Sequence, residues 1–100
     1  MNDYILFMHG DAPDRAAADD GEKWGRYLST LRQSGHFAGG SAIGTGQRLK
    51  LNRSPEPAET QVTGFIQVRA ESLEAAKRFL DGNPVYEAGG TVELRELPRG

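Results

Sequence analysis

The chain has 100 residues, no cysteine and a formal net charge of -2. That length holds one domain, residues 1–100, because single cores rarely subdivide below roughly 150 residues. A cysteine-free chain excludes disulfides, thiolate metal sites and a cysteine nucleophile, and 12 Lys+Arg against 14 Asp+Glu argue against nucleic acid as the main partner. The longest apolar run, Tyr4–Met8, is far short of the roughly 18 residues that cross a bilayer. No basic segment leads into an apolar stretch as in a signal peptide. The expected setting is cytoplasmic, with no membrane partner.

The chain opens on Tyr4-Ile5-Leu6-Phe7-Met8, a β-rich segment that is apolar on both faces, and leaves it through His9-Gly10-Asp11. Half-exposed strands alternate apolar with polar, so a continuous run predicts a central strand covered on both sides. Residues 10–20 are small, polar and acidic and read as a loop. Trp24, Tyr27, Leu28 and Leu31 follow at helical spacing. Asp19 or Asp20 serves as the cap and Gly35 as the residue beyond the end.

His36–Gly44 is the expected second strand, thinned by Gly39 and Gly40; glycine inside a strand marks a bulge or a close approach. Arg48–Leu51 alternates like a short edge strand, and Asn52–Gln61, with Pro55 and Pro57, reads as an exposed loop. Val62–Val68 is a strand. Ser72 caps a second helix whose buried stripe is Leu73, Ala76 and Leu80, with Phe79 beside it. Gly82 ends that helix and Asn83-Pro84 prevents its continuation. Thr91–Leu97 is the last strand.

The order is a split βαβ pattern of the ferredoxin-like type, an α+β class with an antiparallel sheet. Two helices cover one face of a four-stranded sheet. The other face carries either Tyr4/Leu6/Met8 or Ile5/Phe7/His9, and burying it calls for a second copy packed sheet to sheet in a C2 homodimer.

The order and spacing of Tyr4–Asp11, the Trp24–Leu31 helix, Ser34-Gly35, Gly39–Ile43 and Glu93–Leu97 resemble the YCII-related family over nearly the whole chain. The resemblance implies a ferredoxin-like dimeric α/β barrel. It also implies a divergent branch. The acid–base His and Asp associated with the family's type branch fall here on Trp24 and Asn83, so that dyad does not carry over. The Asp-Gly-Pro-Phe signature is missing: the 54–60 region reads Ser54-Pro55-Glu56-Pro57-Ala58-Glu59-Thr60, and only Ala58-Glu59-Thr60 echoes its continuation.

Polar candidates remain. An imidazole such as that of His9 can exchange protons at physiological pH, and Asp11, two residues on, falls on the same side if the strand continues; the pair reads as a catalytic base with its orienter, or as a strand-end histidine beside a turn-forming aspartate. Trp24, with Tyr27, reads as a ligand wall or as core. Ser41 between Gly40 and Ala42 reads as an anion donor without the context of a phosphate loop. Asn83 and Tyr86, after the second helix, lie where the family's chain approaches the cleft, and Tyr86 serves either a ligand or a dimer mate. Two histidines without neighbouring acids at helical spacing make a metal site unexpected, and His36 reads as a partner of the helix end. Arg48, Lys50 and Arg53 read as a solvated basic edge.

The expectation is a homodimer that binds a small polar or anionic organic molecule between sheet and helices. Its catalytic form is cofactor-free proton transfer, with His9 and Asp11 as the acid–base pair and Trp24, Ser41, Asn83 and Tyr86 holding the substrate. A non-catalytic interaction or regulatory module is the alternative.

Overall fold

Residues 1–58 and 61–99 are described by a computed structural model; Glu59 and Thr60, two of the three residues that echo the family signature, lie outside them. Four strands form the main sheet: β1 (Asn2–His9), β2 (Phe37–Ala42), β5 (Val62–Ala70) and β6 (Val92–Leu97), in the order β2-β5-β1-β6. All three neighbouring pairs are antiparallel. Each long connection skips one strand, so β5 sits between β1 and β2, and β1 sits between β5 and β6. This is the ferredoxin-like split βαβ arrangement.

Register decides which face of β1 is the core. Leu6 lies opposite both Ile66 and Leu94, Tyr4 opposite Val68, and Met8 opposite Gly64 and Val92. Directly opposed residues share a face, and Tyr4, Leu6, Met8, Ile66 and Val68 are buried together with Tyr27, Leu31, Ala76 and Val85 from the helical layer. Ile5, Phe7 and His9 therefore project from the other face, with Phe65, Gln67, Glu93 and Arg95. The molecule is only 18 Å thick along its shortest axis, the depth of one sheet and one layer of helices.

Helix α2 (Gly21–Gln33) starts where the Asp20 carboxylate accepts hydrogen bonds from the backbone N–H groups of Glu22 and Lys23. It ends at Gly35, whose φ of +80° is the left-handed conformation that glycine adopts without strain. Tyr27 and Leu31 are buried, while Trp24 and Leu28 are half-buried along the flank facing β2.

Four local expectations are corrected. The 10–20 segment is not all loop: Asp14 caps a one-turn helix, α1 (Arg15–Ala18), which places Ala18 in the core. Arg48–Leu51 is not an edge of the main sheet. Instead β3 (Gln47–Arg48) pairs with β4 (Glu56–Pro57) in a separate two-stranded ribbon, and Leu49 and Leu51 stand 75% and 88% exposed. Of the alternating residues only Arg48 belongs to a strand, and Leu49 and Leu51 have no packed surface to meet. The second helix, α3 (Leu73–Lys77), tightens into a 3-10 turn at Arg78–Leu80, leaving Leu73 exposed while Ala76 carries the buried stripe. Finally, Asn83-Pro84 starts rather than merely stops a helix. Pro84 opens α4 (Pro84–Glu87) and the Asn83 side chain caps it through the Tyr86 N–H, the position where a missing N–H costs nothing. Among the described residues, no helix is long and apolar enough to cross a membrane.

Candidate functional site

A cleft of about 340 Å³ opens between α2 and the β2 side of the sheet. Trp24, Leu28 and Arg32, spaced four residues apart, run along its helical wall. Phe37, Gly40 and Ala42, the β2 positions opposite Val68, Ile66 and Gly64, form the facing wall. Its volume is at the lower end of the small-molecule range of roughly 300–1,000 Å³. Gly40 is required there: a Cβ would lie 2.6 Å from the Phe65 carbonyl oxygen.

Trp24 is held firmly. Its indole N–H donates to the Ala18 carbonyl at 2.7 Å, and its ring meets Tyr27 edge to face at 5.7 Å. The indole can thus offer a ligand its face but not its donor. The Arg32 guanidinium sits 5.3 Å from the centre of the Phe37 ring. Ser41 borders the cleft, yet it lies opposite Phe65, which puts its side chain on the other face of the sheet. Its hydroxyl donates to the Ala42 carbonyl at 2.8 Å.

His9 and Asp11 lie at the exit of β1, outside this cleft. His9 has a partly buried side chain on the helix-free face, with Nε2 3.2 Å from Glu93 Oε1. Asp11 is engaged elsewhere: it accepts the Thr91 N–H at 2.8 Å and the Thr91 hydroxyl at 2.6 Å. The carboxylate against the imidazole is thus Glu93. Strand alternation stops at His9, so the two-residue spacing to Asp11 does not place the two side chains in contact.

The Thr91 hydroxyl, then the Thr91 N–H, hold the Asp11 carboxyl below its ordinary value of 3.8. A depressed folded value means that the native state favours the charged form. This contribution is complete above the unfolded value and is lost as pH falls through the lower folded one. Asp11→Asn is therefore expected to reduce the loss of stability between about pH 5 and pH 3, read from urea midpoints. The flattening will be partial, because Arg99 acts on Asp3, and the backbone N–H of Lys23 on Asp20, in the same direction. An unchanged acid limb would remove Asp11 as a contributor.

Asn83 is 0% exposed. Its Oδ1 accepts from Tyr86 N–H, while its Nδ2 has no hydrogen-bond partner. It belongs with Tyr27, whose hydroxyl donates to the Phe79 carbonyl at 2.6 Å. Burial pushes the Tyr27 phenol up, with the nearby Asn83 amide opposing. Tyr86 is half exposed on α4. His36 Nδ1 bonds the Arg69 carbonyl and its ring leans on Phe79. A wider depression, about 770 Å³, separates α2 from the Phe79–Ala88 segment. Its charged rim mixes both signs (Lys23 and Arg26 with Asp81 and Glu87), so no convergent polar set marks it. Among the described residues, no cluster of three or more His, Asp or Glu is arranged to hold a metal.

Of the residues singled out in the sequence, then, Trp24 and the Ser41 backbone meet at the cleft. His9 lies on the opposite face, Asp11 ties β1 to the start of β6, and Asn83 and Tyr86 build the α4 cap. Sequence reasoning missed Arg32 and Glu93. Arg32 was findable as the next member of the Trp24–Leu28 line, whereas Glu93 needs the β1–β6 register.

Among curated proteins, none matches the chain in sequence. Among solved structures, the fold is similar to 5-chloro-2-hydroxyhydroquinone dehydrochlorinase (TftG) from Burkholderia phenoliruptrix AC1100 in complex with 2,5-dihydroxybenzoquinone. The TM-score is 0.60 at 16% identity, over 98% of this chain and 95% of that one. The profile of the YCII-related domain matches residues 4–99, almost the full length over which strand order, register and cleft have been described, and the chain belongs to the YCII-related family.

Proposed function

We propose that this protein is a cytoplasmic homodimer, a dimeric α/β barrel closed sheet to sheet, that binds a small polar or anionic ring compound in the α2–β2 cleft. The cleft itself carries the reading. It pairs a fixed indole face with an aromatic and aliphatic wall, and one cation stands at its rim. Flat unsaturated rings match such a slot through face contacts with Trp24 and Phe37. The bound 2,5-dihydroxybenzoquinone in the structural neighbour supports a ligand of that size and shape.

The chain contains a single tryptophan, so one indole N–H resonance reports on the cleft directly. Titration with hydroxylated benzoquinones and hydroquinones is expected to shift that resonance saturably. A panel that leaves it unmoved at millimolar concentration would overturn the reading.

A catalytic form needs a second ring site across the sheet from the α2–β2 cleft, on the helix-free face beside the partly buried His9–Glu93 pair. An imidazole held by a carboxylate is a competent general base near neutral pH, and proton transfer needs no cofactor. Asp11 then has a supporting part, fixing the β1 exit through Thr91. His9→Ala should slow catalysed solvent-hydrogen exchange into a ring ligand by roughly 100-fold or more. Exchange that survives this change removes the catalytic form and leaves a binding module, the alternative function.

A further inference from the structure

We infer that Arg32 is the anion anchor of the cleft, so that the site selects ring compounds bearing one acidic group, a carboxylate or an ionised phenol, over their neutral isosteres. This rests on the reading of the cleft as a ligand site and adds the feature by which the ligand is chosen.

Three observations support it. First, Arg32 is the only cation lining the cleft among the described residues. Second, it has no carboxylate within ion-pairing distance there, unlike Arg15 with Asp19, Arg26 with Glu22 and Arg95 with Glu93. Its five N–H donors are therefore available to an incoming acceptor. Third, the guanidinium is stationed over the Phe37 ring, which reduces the rotamer freedom a ligand must freeze on binding. A position in the last turn of α2 suits any cation, because the helix carbonyls there carry partial negative charge. That effect does not account for the side chain turning over Phe37 at the cleft rim.

Among the described residues, the opposite end of the slot carries no unpaired charge. Asp19 lines it there and is already paired with Arg15. Trp24 and Arg32 are eight residues apart, about 12 Å along the helix axis at 1.5 Å per residue. The one unpaired charge among these residues therefore stands at a single end of the slot. It orients a ligand with its acidic group toward Arg32 and its ring between Leu28 and Gly40, near the indole. Bidentate acceptance of a planar carboxylate by a guanidinium adds geometric selectivity to the charge preference.

The test uses two matched pairs, benzoate with benzamide and 4-hydroxybenzoate with 4-hydroxybenzamide, titrated against the full chain while following the Trp24 indole resonance. In the wild type each carboxylate is expected to bind at least about tenfold tighter than its amide. Arg32→Gln should abolish that preference by weakening the carboxylate alone, and Arg32→Lys should retain part of it, since charge survives but the fork does not. Arg32 is exposed, so both variants should fold, which circular dichroism will verify. Equal affinities in the wild type, or a preference that persists in Arg32→Gln, would overturn the anchor while leaving the cleft as a ligand site. If neither member of either pair moves the Trp24 resonance while hydroxylated benzoquinones do, the anchor falls and the cleft stands; if the quinones also leave it unmoved, both fall.

Discussion

Leu6→Ala is expected to destabilise the domain by about 2–5 kcal/mol, the range for truncating a fully buried leucine to alanine. Leu6 is 0% exposed at the centre of the central strand, between Ile66 and Leu94. Its surroundings are held by strand pairs on both sides and by the helical layer, so the site cannot collapse to fill the cavity. A domain of this size has roughly 5–15 kcal/mol of stability in total, and each kcal/mol moves the midpoint by about 4–8 °C. Thermal and urea unfolding should thus show Leu6→Ala melting at least about 8 °C below the wild type. Leu51→Ala is the control. Its side chain is 88% exposed, and the expected change is within about 0.5 kcal/mol. A Leu6→Ala effect as small as that control would contradict the core assignment.

Phe7→Asp is expected to convert a dimer into a folded monomer. Phe7 lies opposite Phe65 on the helix-free face, with Ile5 beside them and Glu93, Arg95 and Gln67 around them. Sheets packed face to face lie about 10 Å apart with interdigitating side chains. A two-fold axis through this patch would bring each Phe7 against its symmetry-related surface. A carboxylate placed there would be desolvated without a partner on association. Central aromatic contacts typically contribute about 2–4 kcal/mol, so the dimer should weaken by roughly 30- to 1,000-fold. Sedimentation should give twice the 10.9 kDa chain mass for the wild type and the single-chain mass for Phe7→Asp, with unchanged circular dichroism. A wild type that sediments as a monomer, or a Phe7→Asp variant that remains dimeric, would overturn the sheet-to-sheet assembly.

Both predictions begin in the same five residues. Their uninterrupted apolar character was enough to place Tyr4–Met8 in the middle of a sheet, and the structure puts β1 between β5 and β6. Helix boundaries were equally legible where a side chain supplies its own signal: Asp20 and Ser72 both accept backbone N–H bonds at their helix starts. Reading faltered where local chemistry permits two outcomes. Pro84 ends one helix and opens another equally well, and the alternation at Arg48–Leu51 continues beyond a strand that stops at Arg48.

The candidate site shows the same division. Trp24 and Leu28 were visible as a stripe. The same spacing, however, serves a core wall and a ligand wall alike, and only the cleft beside them distinguishes the two. Ser41 looked like a donor beside glycines, but the β2–β5 register turns its hydroxyl to the far face. His9 was recognisable as the titratable group at the end of β1. Its partner Glu93 is 84 residues away in the chain and is brought there only by the β1–β6 pairing.

What the sequence determined by itself was therefore local and periodic: the order of the main strands and helices, most caps, and the central place of β1 in the sheet. The tertiary structure decided which of its two side-chain sets meets the helices, that Asp11 bonds Thr91 rather than orienting His9, and that Arg32 stands at a cleft. The physical reason is that hydrogen-bonded caps and apolar periodicity act within a few residues, whereas strand register is a long-range pairing. A shift of one residue in that register exchanges the two faces of the sheet.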